Sequence, residues 1–225
     1  MRFPLRTELV IFDIDGTLAD AFGMIAGCFN AVMESLNRPT KSVKEVRRLV
    51  GTGSRELLAP FVPRDRLDGA LELFYRRYDH RYLEETHPMP NALELLEELH
   101  QKEIKIAAAS NKRGIHCRGG LDRLGMLRYM ELCVGAGDIT NLKPDPDMIH
   151  KILKETAVAS KDAVMVGDSP IDVATAHAAG LPCVAVSTGS HTRLELEEAG
   201  ADRVFCGLKE LLGNFEKKNP LAAAR

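Results

Sequence analysis

The chain has 225 residues, 45% of them hydrophobic, and 30 Lys and Arg against 32 Asp and Glu give a net charge of −2. That length carries one large domain, or a core domain with a smaller one inserted. The charge balance removes the electrostatic case for nucleic acid or an anionic membrane surface, and the absence of Trp leaves few stacking platforms.

In chain order, MRFPLRTELVIFDID reaches acidic residues before a signal-type apolar segment can form. No later run approaches the roughly 18 apolar residues of a membrane helix. The five cysteines are odd in number and form no CxxC pair, which predicts buried free thiols in a reducing, cytoplasmic compartment. Val10, Ile11 and Phe12 read as a buried strand, followed by two carboxylates, Asp13 and Asp15. From Asp20 to Thr86 no strand is evident; FGMIAGCFNAVMESLN, KSVKEVRRLV, SRELLAPF and LDGALELFYRRYDHRYLEE all read as helices. Pro88 and Pro90 mark the return to a different pattern.

After that return, IKIAAAS (104–110), LCVGAGD (132–138), AVMVGD (163–168), PCVAVS (182–187) and RVF (203–205) read as strands buried on both faces. NALELLEELHQK, PDMIHKILKET and PIDVATAHAAG between them carry helical spacing. The alternation predicts an α/β fold, a doubly wound parallel, Rossmann-like sheet with an inserted α-helical cap domain. The core would comprise residues 1–18 and 87–225, the cap residues 19–86. The terminal EKKNPLAAAR reads as a frayed tail.

Asp13 and Asp15 are two positions apart, and continued strand geometry would aim both at one small volume. Two like charges roughly 4 Å apart repel by about 4 kcal/mol at an effective dielectric near 20. The acids must diverge, share a proton or enclose a cation. Ser110 with Asn111, Lys143, Asp168 and Asp172 also follow the ends of predicted strands, and in a parallel sheet those ends share one edge. Each has a plainer reading: Asp13 and Asp15 as turn residues before Gly16, Asp172 in a capping box with Ser169, Ser110 as a backbone partner, Lys143 as a solvated lysine. A hard divalent cation resolves the carboxylate group, since Mg²⁺ prefers oxygen ligands and keeps room for substrate phosphate. With a lysine and a hydroxyl beside it, the set points to phosphoryl transfer. The seven histidines show no ligand spacing, and no His–Cys pairing suggests zinc.

DIDGTLAD, AASNK, LKPDPD and GDSPID resemble, in order, the four motifs of the haloacid dehalogenase superfamily of phosphohydrolases. The helical block after the first motif is similar to that superfamily's cap. The resemblance implies that Asp13 is the nucleophile and forms an aspartyl-phosphate. It implies that Asp15 protonates the leaving oxygen and later activates water. Ser110 and the amide of Asn111 would bind the phosphoryl group, with Gly16 and Thr17 also in the substrate-binding set, and Lys143 would offset charge. Mg²⁺ would be held by the Asp13 and Asp168 carboxylates and the Asp15 carbonyl, with Asp172 in support. Dehalogenases of the superfamily lack an aspartate at the Asp15 position, so the resemblance favours a phosphatase acting on a small phosphorylated metabolite.

LVGTGSRELL resembles the cap loop of phosphoglycolate phosphatases, which implies a 2-phosphoglycolate-like substrate. Arg55, facing the site, would pair with a substrate carboxylate or hydroxyl; facing away, it is a solvated helix residue. A sugar-phosphate phosphatase or phosphomutase is the nearest alternative, although residues 21–33 lack the histidine that such mutases usually carry there. A non-catalytic phosphate-binding module is the other. Ala21 and Arg113 depart from the phosphoglycolate pattern, standing where serine and proline are common.

Overall fold

The computed structural model describes residues 4–218. The chain opens with a short strand, β1 (Leu5–Thr7), and the central strand β2 (Leu9–Phe12). β3 (Ala19–Asp20) leads into the helices α1 (Phe22–Ser35), α2 (Val43–Arg47), α3 (Ser54–Leu58) and α4 (Leu67–Glu85), and β4 (His87–Pro88) leads out. There follow α5 (Ala92–Gln101), β5 (Lys105–Arg113), α6 (Gly114–Arg123), β6 (Leu132–Ala136) and α7 (Asp147–Thr156). β7 (Ala163–Gly167), α8 (Pro170–Ala178), β8 (Cys183–Val186), α9 (Arg193–Glu198), β9 (Arg203–Phe205) and β10 (Phe215–Lys217) complete the order.

Six strands form one parallel sheet in the order β6-β5-β2-β7-β8-β9. Alternation along each strand divides the apolar side chains between two faces. On one face Val10, Phe12, Ile106 and Val164 pack with Leu95, Leu96 and Leu99 of α5 and Leu121 of α6. On the other, Leu9, Ile11, Ala107 and Met165 pack with Ile149 and Ile152 of α7 and Val173 of α8. Burial on both faces is why these strands lack a polar alternation in sequence. Helices α1 to α4 enclose a separate cluster that includes Phe29, Leu58, Phe74 and Tyr78. The two chain crossings into and out of this helical segment lie side by side, with Ala19 opposite Pro88 and Asp20 opposite His87 in an antiparallel pair.

The structure corrects several sequence expectations. The first crossing is a short strand, β3, whose Asp20 lies in the stretch where no strand was evident. KSVKEVRRLV is helical only over α2, and SRELLAPF leaves α-helical geometry at Leu58 for a 3₁₀ turn at Ala59–Phe61, because Pro60 has no N–H to continue the ladder. Glu216 and Lys217, expected in a frayed tail, lie in a strand: β10 pairs in parallel with β1, Leu5 opposite Phe215 and Thr7 opposite Lys217. The remainder of that tail, residues 219–225, lies outside the described residues. Helix α6 was not evident in sequence because Gly114, Gly119 and Gly120 depress helix propensity. Two of these glycines answer to packing: a Cβ on Gly119 would stand 2.6 Å from the Tyr82 hydroxyl, and one on Gly114 2.3 Å from the Asp138 carboxylate, whereas one on Gly120 would meet open space. Cys28, Cys117, Cys133 and Cys183 are buried free thiols as expected, whereas Cys206 is exposed. Among the described residues no helix is long and apolar enough to cross a membrane.

Leu96 is fully buried between α5 and the sheet. Leu96→Ala therefore lowers unfolding stability by about 2–5 kcal/mol, to be read as a lower urea midpoint.

Candidate active site

The sheet register decides which side chains meet. Phe12 stands opposite Ala108 of β5 on one side and Val166 of β7 on the other. Asp13, Ser110 and Asp168, one or two residues further on, therefore leave at the same edge. That edge lies where the chain's progression along the sheet reverses direction, the usual place for a ligand in this architecture. The loop between β6 and α7 brings Lys143, and the first turn of α8 brings Asp172. These residues line one pocket between the sheet edge and the helical segment.

Lys143 ties the edge together. Its buried ammonium donates to Asp13 Oδ1 at 2.6 Å, Asp172 Oδ1 at 2.7 Å and the Ala109 carbonyl at 2.9 Å. Burial opposes its charge, but Asp13 and Asp172 outweigh that and hold its pKa above the usual lysine value. Asp172 completes a capping box: Oδ2 accepts from the Ser169 hydroxyl at 2.6 Å and from the backbone N–H groups of Ser169 and Asp168. The capping reading and the site reading of Asp172 are both true, one on each oxygen.

Asp168 is enclosed more tightly still. Thr17 Oγ1 donates to its Oδ1 at 3.0 Å and the Ser190 N–H to its Oδ2 at 3.3 Å. Its carboxylate sits in a slot that only glycine leaves open: a Cβ on Gly189 would fall 1.5 Å from Oδ2, and one on Gly16 2.6 Å away. Gly16 is also at φ +95°, a conformation costly for other residues. Gly16 and Thr17, expected to touch substrate, instead make room for Asp168 and fix it.

Asp13 and Asp15 do not share one partner. The strand ends at Phe12, so the two-residue parity lapses and the acids diverge. Asp15 Oδ1 accepts from Lys112 Nζ at 2.6 Å, both side chains being about nine-tenths buried. Lys112 was missed as a site residue: it lies past the strand read over 104–110, and β5 is irregular between Ala109 and Arg113, so strand parity does not place it. The Ser110 hydroxyl lies on the pocket wall. The contact expected of Asn111 is through its backbone amide; its side chain has a separate task, Nδ2 donating to the carbonyls of Lys143 and Gly51 and Oδ1 accepting from the Lys143 N–H. It fastens the Lys143 loop to β5 and to the loop before α3. Arg55 does not line the pocket; it is exposed and paired with Asp68 at 2.5 Å. Its placement on the outer side of a five-residue helix could not be read from spacing. Tyr75 and Tyr78 of α4, with Arg113 and His116 at the start of α6, also line the pocket and were not anticipated. His116 is held by Asp79 of α4 at 2.6 Å.

The buried acids fit a divalent cation. One oxygen each from Asp13, Asp168 and Asp172 lie within 4.8 Å of one another. Burial, Lys143 notwithstanding, pushes the Asp13 carboxyl up to about 6, with the charge of Asp172 adding to the rise. Burial raises Asp168 well above the usual carboxylate range, followed by the charges of Asp13 and Asp172. One ammonium among three buried carboxylates leaves negative charge in excess, which a hard cation with oxygen ligands relieves. Asp172 is the most committed of the three, with Lys143 on Oδ1 and three donors on Oδ2. Asp13 has a donor on Oδ1 alone and each Asp168 oxygen has a single donor and a lone pair to spare, so these two are the carboxylates left to hold such an ion.

Residues 10–186 match the family model of haloacid dehalogenase-like hydrolases. The phosphoglycolate phosphatase of Pseudomonas fluorescens is 34% identical over 204 residues, covering 86% of this chain and 75% of that protein. That of Rhodospirillum rubrum is 33% identical over 209 residues, covering 88% and 86%. Among solved structures, a haloacid dehalogenase-like family hydrolase from Streptococcus pneumoniae superposes with a TM-score of 0.84 at 22% identity, covering 92% of this chain and 97% of that one. A hydrolase from Pseudomonas syringae gives 0.80 at 24% identity, covering 93% and 97%, so the fold is shared well beyond close sequence likeness. The chain belongs to the haloacid dehalogenase-like hydrolase family. Within it, this protein is a phosphoric monoester hydrolase, a phosphatase.

Gly189→Ala drives a methyl group into Asp168 and is expected to weaken divalent-cation binding by about tenfold or more, measured by calorimetry on a variant shown to be folded. A second expectation follows from Asp13. Its folded pKa of about 6 exceeds the ordinary 3.8, so the folded state holds the proton more tightly. The associated stability is present at low pH and lost as pH rises through about 6. A cation must displace that proton, so adding Mg²⁺ should raise the melting temperature more at neutral pH than at mildly acidic pH. An equal rise at both would count against Asp13 as a ligand.

Proposed function

We propose that this protein is a Mg²⁺-dependent phosphatase that forms an aspartyl-phosphate on Asp13, with 2-phosphoglycolate as its leading substrate. The observation that carries the chemistry is the buried group of Asp13, Asp168 and Asp172 around Lys143 at the sheet edge. The substrate reading draws on the phosphoglycolate phosphatases of P. fluorescens and R. rubrum described above. A cytoplasmic location agrees with its free cysteines.

In this reading an oxygen of Asp13 attacks phosphorus as the ester oxygen departs. Lys143 occupies Oδ1, and no protein donor among the described residues reaches Oδ2, which leaves that oxygen to attack. Asp15 gives a proton to the departing oxygen. Lys112 holds Asp15 by Oδ1 alone, so Oδ2 is available to carry that proton. The Asp15 carboxylate then takes a proton from water as the water attacks phosphorus, releasing phosphate and restoring Asp13. The Ser110 hydroxyl donates to a phosphoryl oxygen, and Lys143 offsets the charge that accumulates beside Asp13. Mg²⁺ held by Asp13, Asp168 and the Asp15 carbonyl would supply further charge neutralisation at the phosphoryl oxygens. Asp172 acts through Lys143 and through the turn that presents Asp168.

Phosphate release is to be measured with 2-phosphoglycolate, glucose 6-phosphate, a nucleoside monophosphate and pyrophosphate, in Mg²⁺ and in EDTA. The expected result is Mg²⁺-dependent release, highest with 2-phosphoglycolate, and a fall of about 10³-fold or more in Asp13→Asn. Preference for the hexose phosphate would discard the substrate and retain the mechanism. Release that persists undiminished in EDTA or in the Asp13→Asn protein would overturn the mechanism.

A further inference from the structure

Two lysines, an arginine and a histidine line the pocket, and all but the arginine are committed. Lys143 spends its three N–H bonds on Asp13, Asp172 and the Ala109 carbonyl. Lys112 is paired with Asp15, and His116 with Asp79. The side chains that the helical segment contributes to the lining carry no charge, from Phe22 and Ile25 of α1 to Phe74 and Tyr78 of α4. Arg113 is the exception. Its guanidinium carbon lies 3.3 Å from the centroid of the Tyr75 ring, and its N–H groups meet no acceptor among the described residues. Of the three acids in the groove on its other side, Asp68 is taken by Arg55 and Asp79 by His116, and Glu72 makes no ion pair with Arg113.

A guanidinium lying flat on an aromatic ring is fixed through its face, while its N–H groups point outward in its plane. That edge matches a carboxylate in a two-point contact. An ester carrying a carboxylate besides its phosphate must place that second charge against largely apolar walls, which is unfavourable without a cationic partner. We propose that Arg113, held on Tyr75 at the seam between β5 and α4, selects substrates with a second anionic group by binding that group's carboxylate. The inference rests on the 2-phosphoglycolate reading above and adds the residue that would enforce it. It gives a role to the position where sequence analysis found arginine in place of the common proline.

The test compares kcat/KM for 2-phosphoglycolate and for 2-hydroxyethyl phosphate, which keeps the phosphate and chain length but replaces the carboxylate with a neutral hydroxyl end, in wild type, Arg113→Gln, Arg113→Lys and Tyr75→Leu. The quantity read is the ratio of the two values. Wild type should favour 2-phosphoglycolate, and Arg113→Gln should reduce the ratio by about tenfold or more, the worth of one charge-assisted contact. The loss should lie mainly in KM, with Arg113→Lys intermediate and Tyr75→Leu reducing the ratio less than Arg113→Gln. An unchanged ratio in Arg113→Gln, whether both activities fall together or neither does, overturns the role of Arg113 and leaves the substrate reading standing. Absence of any preference in wild type overturns the substrate reading and the inference together, and that arm is read before any variant. Arg113 is exposed, so Arg113→Gln is expected to fold, and melting curves verify it.

Discussion

The structure of the site depends on one buried ammonium. Lys143 gathers Asp13 from the end of β2, Asp172 from the first turn of α8 and the Ala109 carbonyl from β5. Three separate elements are thereby pinned to one point, and each contact is charged or polar in a place that water scarcely reaches. Removing one member of such a group strands the others without compensation, which is why buried charges occur in sets. The set is also unbalanced. Asp168 adds a third carboxylate that no lysine answers, and its raised pKa expresses an electrostatic demand that a cation would meet.

Around that point the backbone supplies room as much as donors. Gly16 and Gly189 allow two loops to close on Asp168, and Thr17 and the Ser190 amide fix its two oxygens. Asn111 extends the same economy outward, joining β5 to the Lys143 loop and reaching the Gly51 carbonyl in the helical segment. Further ties across the same gap are the Arg48–Glu195 pair and the His116–Asp79 contact. The charged chemistry belongs to the sheet edge, whereas the helical segment contributes apolar and aromatic walls. This division lets the walls change their recognition of substrate without disturbing the acids.

Much of this was legible along the chain. The β2 run followed at once by carboxylates, the five later apolar runs and the all-helical block between them follow from local periodicity, which reports burial directly. Asp13, Ser110, Lys143, Asp168 and Asp172 were legible for a related reason: each follows a strand end, and a parallel sheet gathers those ends. The less legible parts depended on distant partners. Helix α6 hides behind glycines demanded by Tyr82 and Asp138, and β10 becomes a strand only because β1 lies beside it.

The sequence by itself determined the central strands and most of the helices, the edge at which the polar residues converge and the chemical kind of the site, because these follow from spacing and residue type. The tertiary structure alone decided the partners. It gave Asp15 its own lysine in Lys112 instead of a ligand shared with Asp13, made Gly16 and Thr17 supports of Asp168, and made the Asn111 side chain a tie to the Lys143 loop. It also moved Arg55 outward to Asp68 while laying Arg113 on Tyr75 at the pocket wall. Such choices are fixed by which side chains meet across gaps of tens of residues, and no local pattern records them.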